Sequence, residues 1–179
     1  NIGAFLAGGG EATGDISVSG LVQMPGGSVM TAGGNIIIGP DSGLSSTGSF
    51  SLTAAGAVQL PGNVPGMGFG ADEGQDSPPG SNGNIDAEGE ISITAGSIDQ
   101  APGTLLRAPE LVLNLTEGGR AITDADVITG ETTGEGDLQI DSLGNVTLND
   151  LSVLDGSFEL TSPGAVTVNE LSLLSNNVA

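Results

Sequence analysis

Apolar and polar residues alternate along most of this chain, and the alternation sits inside a block that repeats. Residues 136–154 read GDLQIDSLGNVTLNDLSVL and residues 156–174 read GSFELTSPGAVTVNELSLL. The two blocks agree at Gly136/Gly156, Ser142/Ser162, Gly144/Gly164, Val146/Val166, Thr147/Thr167, Asn149/Asn169, Leu151/Leu171, Ser152/Ser172 and Leu154/Leu174. Within each, runs such as Phe158-Glu159-Leu160-Thr161 alternate with the period of a strand that buries one face. A fixed period of about twenty residues, built from short strands with Gly or Asn corners, predicts one coil of a parallel β-solenoid per repeat.

The same unit recurs upstream. Gly48 to Leu60 (GSFSLTAAGAVQL) shares its order of Gly, Ser, Phe, Leu, Thr, Gly, Ala and Val with residues 156–168, and Gly89 to Ile98 (GEISITAGSI) is a slightly shorter copy. Alternating strands are also predicted at 14–18, 21–24, 29–31, 36–38 and 111–115. No stretch carries the spacing and caps of a helix. Two segments break the pattern. Residues 61–84 are rich in Pro and Gly, and residues 117–135 are rich in acids around Arg120; both are expected to be long loop excursions from the stack, with Ile122, Val127 and Ile128 suggesting that part of the second still contributes to it. The expectation is therefore a single all-β domain over 1–179, with roughly seven to nine coils.

Composition narrows the chemistry. Gly is 32 of 179 residues, aromatics are limited to four Phe, and there is no Cys, His, Lys, Tyr or Trp. A narrow column of stacked aliphatics needs no large aromatic rings, and no disulfide or thiolate metal site is available. Two Arg face 22 acids, giving a net charge of −20. Such a surface repels phosphate, so neither nucleic acid nor an anionic membrane is an expected partner. No apolar run approaches the ~20 residues of a membrane-spanning helix. The chain opens on Asn1 and not Met, which reads as a processed or excised chain. A Lys-free, Gly-, Ser- and Thr-rich acidic β chain fits an extracellular or cell-surface location.

The strings GGNIII, GSFSLTAAGAVQL and GEISITAGSI resemble the stalk repeats of filamentous haemagglutinin-like exoproteins, the large adhesins of two-partner secretion. The resemblance covers most of the chain outside 61–84 and 117–135. It implies a right-handed parallel β-helix, a secreted or surface location and an adhesive or structural role. The amino-terminal export domain of that family carries NPNL- and NPNG-type motifs; no Asn-Pro pair occurs here, so the resemblance is to stalk and not to export signal.

Candidate site residues follow from the stacking. Asn149 and Asn169 fall at equivalent corners and are candidates for a buried structural side-chain ladder; a pair of exposed turn residues is the alternative. Asp150 and Glu170 are likewise equivalent, so they would lie about 5 Å apart and could share a Ca²⁺, as could Asp72, Glu73 and Asp76 in the first loop; solvated acids without a cofactor are the favoured alternative. Glycoside hydrolysis needs two carboxylates set across a sugar cleft, usually with aromatic platforms that this chain lacks, so no enzyme is expected. The apolar termini of the stack, Ile2, Phe5 and Leu6 at one end and Val166, Val168, Leu171 and Leu173 at the other, predict head-to-tail stacking on copies of the chain or on adjoining coils of a longer one. The function expected is a rigid scaffold or adhesive fibre segment. The alternative is a module that binds host or matrix glycans, or a receptor, through 61–84 and 117–135.

Overall fold

A computed structural model describes residues 10–62 and 83–174, and it is all β, with strands stacked in parallel coils of about twenty residues through about seven turns. The first coil is β1 (Gly10–Ala12), β2 (Ile16–Val18) and β3 (Leu21–Met24); the second is β4 (Ser28–Ala32), β5 (Ile36–Ile38) and β6 (Gly43–Ser46). The third is β7 (Phe50–Ala54), β8 (Ala57–Leu60) and β9 (Asn84–Ala87), and the fourth is β10 (Glu90–Gln100) with β11 (Leu106–Arg107). A single strand, β12 (Glu110–Thr123), makes the fifth coil. The sixth is β13 (Val127–Thr132) and β14 (Leu138–Ser142), and the seventh is β15 (Val146–Leu154) and β16 (Phe158–Thr161). Strands β17 (Val166–Val168) and β18 (Leu171–Leu174) begin an eighth.

The register shows why alternation produces this stack. On the first face, Phe50, Ile91, Leu111, Ile128 and Leu148 lie one above another, and all are buried. A second inward column beside it runs Met30, Leu52, Ile93 and Leu113. On the second face Ile16, Ile36, Val58 and Ile98 do the same. Each coil thus hides its apolar positions against the coils before and after it, while the ladder of backbone hydrogen bonds runs along the axis. The repeat read from the sequence is the repeat of the structure: Leu138 pairs with Phe158, Val146 with Val166 and Leu151 with Leu171.

Strands diverge at the corners, where backbone N–H groups leave the ladder and need other acceptors. A side chain one coil earlier supplies them. Asp15 Oδ1 accepts from the Asn35 N–H at 2.7 Å, and Asn35 Oδ1 accepts from the Ala57 N–H at 2.8 Å. Ser49 Oγ does this for Glu90, Asp137 Oδ1 for Ser157 and Asn145 Oδ1 for Ala165, each at 2.8 Å. The residue before each recipient is Gly, and at Gly56 the reason is visible: a Cβ there would collide with Asn35 Oδ1. The Gly-Asp, Gly-Asn and Gly-Ser pairs that open strands are therefore corner locks.

Most of the excursion expected at 117–135 belongs to the stack, including the expected part around Ile122, Val127 and Ile128, and only 124–126 and 133–135 lie outside strands. Residues up to Thr123 continue β12, and β13 occupies 127–132; both belong to the stack. The pattern is masked because inward positions are held by small or polar residues. Gly119 lies between Ile98 and Leu138, Gly130 between Leu113 and Leu151, and Thr132 between Leu115 and Val153. Gly130 has φ 129°, and a Cβ would run into the carbonyl oxygen of Leu113, so only Gly lets this coil sit where it does. The third face also contracts here. After β3, β6, β9 and β11 it narrows to Thr123, which pairs with Leu106, and Leu113 meets its partner Gly130 after only 17 residues. Gln100 bridges the transition. Its buried amide donates to the Ile122 carbonyl and accepts from the Ile122 N–H, both at 2.9 Å.

Candidate functional site

Two features stand out from the regular stack: an uncovered end and a groove on the first face.

The end is the eighth coil. Val146, Leu148, Leu151 and Val153 are buried, yet their partners one coil later are not: Val166 is 46% exposed, Val168 53% and Leu173 55%. The residues match and the register matches. The difference is that the seventh coil has the eighth above it, whereas no described coil covers the eighth. Leu171 and Leu160 are half-buried, still packed against the core beneath. Ile2, Phe5 and Leu6, the partners expected at the other end, lie outside the described residues.

The groove begins from a register change. Ile128 pairs with Leu148, but Gly130 pairs with Leu151, so Asn149 and Asp150 together stand opposite Thr129. This is a β-bulge, and Asp150 at its centre has φ 65°, a left-handed conformation uncommon outside Gly. The bulge turns Asn149 and Asp150 outward. With Asn114, Glu131 and Ser152 they surround a concavity of about 420 Å³ whose floor includes Gly130. A second concavity of about 320 Å³ shares Asn114 and Glu131 and extends over Ala55, Ala95 and Leu115. The outward row beneath both is continuous: Thr53, Thr94, Asn114, Glu131 and Ser152 are register partners in successive coils.

The residues singled out by sequence fall as follows. Asn169 Nδ2 donates to Asn149 Oδ1 at 3.1 Å, so the two amides are linked along the axis, but on the exposed surface and not inside the column. Asp150 lines the groove and Glu170 is exposed one coil away. Among the described residues no three acids gather as a cation site. Asp72, Glu73 and Asp76 lie outside the described residues. Both Arg are engaged elsewhere. Arg107 spans Asp86 at 3.1 Å and Asp124 at 3.6 Å, and Arg120 holds Asp141 at 2.7 Å. These pairs relieve like-charge stacking on the second and third faces and leave the groove without a cation. Asn114, Thr129, Glu131 and Ser152 were not singled out by sequence. The signal that could have found them is a Gly at an inward position, Gly130, next to the Thr129 that the Asn149-Asp150 pair stands opposite.

The architecture defines a parallel β-solenoid. No family model, curated protein or solved structure matches the chain.

Proposed function

We propose that the chain is a non-enzymatic structural segment of an extracellular fibre, a stalk of the filamentous haemagglutinin-like kind, extended by coil-on-coil stacking. The observation that carries this is the eighth coil. Its Val166, Val168 and Leu173 repeat residues that are buried one coil earlier, and they present an aliphatic surface and a strand edge in the register a further coil would use. The occupant is another coil of the same repeat, contributed by a second copy or by adjoining chain. A contact of that kind is heterologous and non-closing, so it lengthens the rod.

Sedimentation and electron microscopy of the purified chain test this. Head-to-tail species that lengthen with concentration are expected, and Val168→Lys with Leu173→Lys should return them to 17.4 kDa monomers of unchanged circular dichroism. A wild-type chain that stays monomeric at high micromolar concentration would overturn self-stacking. If fusing one further copy of 156–174 to the carboxyl end also left the melting temperature unchanged, the stalk reading would fall with it.

A further inference from the structure

We propose that the groove on the first face binds an uncharged polysaccharide laid along the solenoid axis. The two concavities share Asn114 and Glu131 and so form one trough. It runs from Ala55 in the third coil past Thr94, Asn114 and Glu131 to Ser152 in the seventh, four coil-to-coil steps, or about 19 Å at one strand spacing per step. That is the length of a short run of sugar rings. The larger end, about 420 Å³, is in the range of small-ligand sites.

The lining selects the ligand class. At the larger end the amides of Asn114 and Asn149 donate and accept, the hydroxyls of Thr129 and Ser152 do both, and the carboxylates of Glu131 and Asp150 accept. Vicinal sugar hydroxyls, each at once donor and acceptor, are matched by such a mixture. At the other end the exposed residues are Ala55, Thr94 and Thr116, a methyl group between two hydroxyls, with the buried Ala95 and Leu115 beneath them. An anionic polysaccharide would meet two carboxylates and no cation, because Arg107 and Arg120 are paired with Asp86, Asp124 and Asp141 away from the groove. A basic peptide would find only Glu131 and Asp150, both exposed, where ion pairing contributes little. The bulge fixes the geometry: Asp150 holds a left-handed backbone there, and Asn149 is tied to Asn169 one coil on. This site does not depend on fibre assembly.

The test is binding of the immobilised chain to tetrasaccharides of glucose, mannose, galactose and xylose, with tetragalacturonate and tetralysine as charged competitors for the same groove. At least one neutral tetrasaccharide should bind, and Asn114→Ala and Ser152→Tyr should each weaken it about tenfold or more at unchanged melting temperature. Gln59→Ala, on the second face, should leave it intact, as should the pair Val168→Lys and Leu173→Lys that tests stacking. The proposal is overturned if no neutral tetrasaccharide binds at millimolar concentration. It is equally overturned if only tetralysine or tetragalacturonate binds, or if Asn114→Ala and Ser152→Tyr both bind as the wild type does.

Discussion

The second to fourth coils and the fifth and sixth are built on one backbone ladder, yet they differ in almost every other respect. In the earlier coils, Met30, Leu52 and Ile93 fill one column and Ile36, Val58 and Ile98 another, and three faces enclose them. In the later coils the same columns pass through Gly119 and Gly130, the third face contracts to Thr123, and a coil closes in 17 residues. Side-chain volume inside the column therefore sets the girth of the solenoid. Where bulk is withdrawn the chain moves in until backbone meets backbone, and the surface above is left hollow. The groove lies over the narrowing for that reason.

The sharpest way to break this contrast is to restore bulk at the narrow point. Gly130→Leu would copy Leu113 below and Leu151 above, a conservative change by the column's pattern. With φ at 129° and the Leu113 carbonyl in the path of the new Cβ, it should instead cost at least ~3 kcal/mol. Ile93→Ala in the wide part, which removes bulk where bulk is needed, should cost ~2–5 kcal/mol by leaving a cavity. Urea denaturation of the two variants checks both. A Gly130→Leu chain as stable as wild type would show that girth is not set by the column.

A smaller effect is expected at the junction. Leu60 and Gln100 are register partners, and only Gln100 faces a strand whose Ile122 N–H and C=O it must satisfy. Gln100→Leu leaves both backbone groups without a partner, at about 1–3 kcal/mol each, and the apolar side chain gained in the column offsets part of that, about 1.5–3 kcal/mol, so the net loss is smaller. Amide exchange at Ile122 should rise selectively, while that of Val58 stays protected. Stabilisation by Gln100→Leu would mean that the bridge is incidental to the narrowing.

These differences explain what could be read from the sequence. Residues 136–174 were legible, down to a register of twenty, because nearly every inward position is Val, Leu, Ile or Phe. Residues 117–135 were legible only in part, through Ile122, Val127 and Ile128. Alternation is recognised by its apolar members, and Gly119, Ala121, Gly130 and Thr132 hide it although the strands are present. The Asn149–Asn169 pair was legible as equivalent positions; whether it lay buried or exposed stayed open, since the bulge at Asp150 interrupts the inward and outward count. The groove was illegible for a further reason. Asn114, Glu131 and Ser152 become neighbours only once coils of unequal length are stacked, and the short coil was the one that alternation showed only in part.

The smallest effect concerns the corners, where Asp137 and Asn145 hold the same kind of bond in wide and narrow surroundings alike. Asn145 cannot titrate. Asp137 can, and hydrogen bonds from the Ser157 hydroxyl and then the Ser157 N–H hold its carboxyl below the ordinary value of 3.8. A carboxyl whose folded pKa is depressed contributes stability that is fully present above its unfolded value and is lost as pH falls through the folded one. Its share therefore fades below about pH 4, toward more acid conditions. Total stability follows another course, because protonating a surface of net charge −20 also relieves repulsion. Comparison with Asp137→Asn separates the two, since the amide oxygen still accepts from Ser157 and does not titrate. Melting temperatures followed from pH 6 to pH 3 should show the wild type ahead of the variant at the upper end and the gap closing as pH drops. At Asn145→Asp the opposite construction should open a gap in the same direction: the new carboxylate would gain on Asn145 above its pKa and lose that gain in acid. If the wild type and Asp137→Asn run parallel across the whole range, the corner lock at Asp137 works by its geometry alone, as it does at Asn145, and its charge contributes nothing to folding.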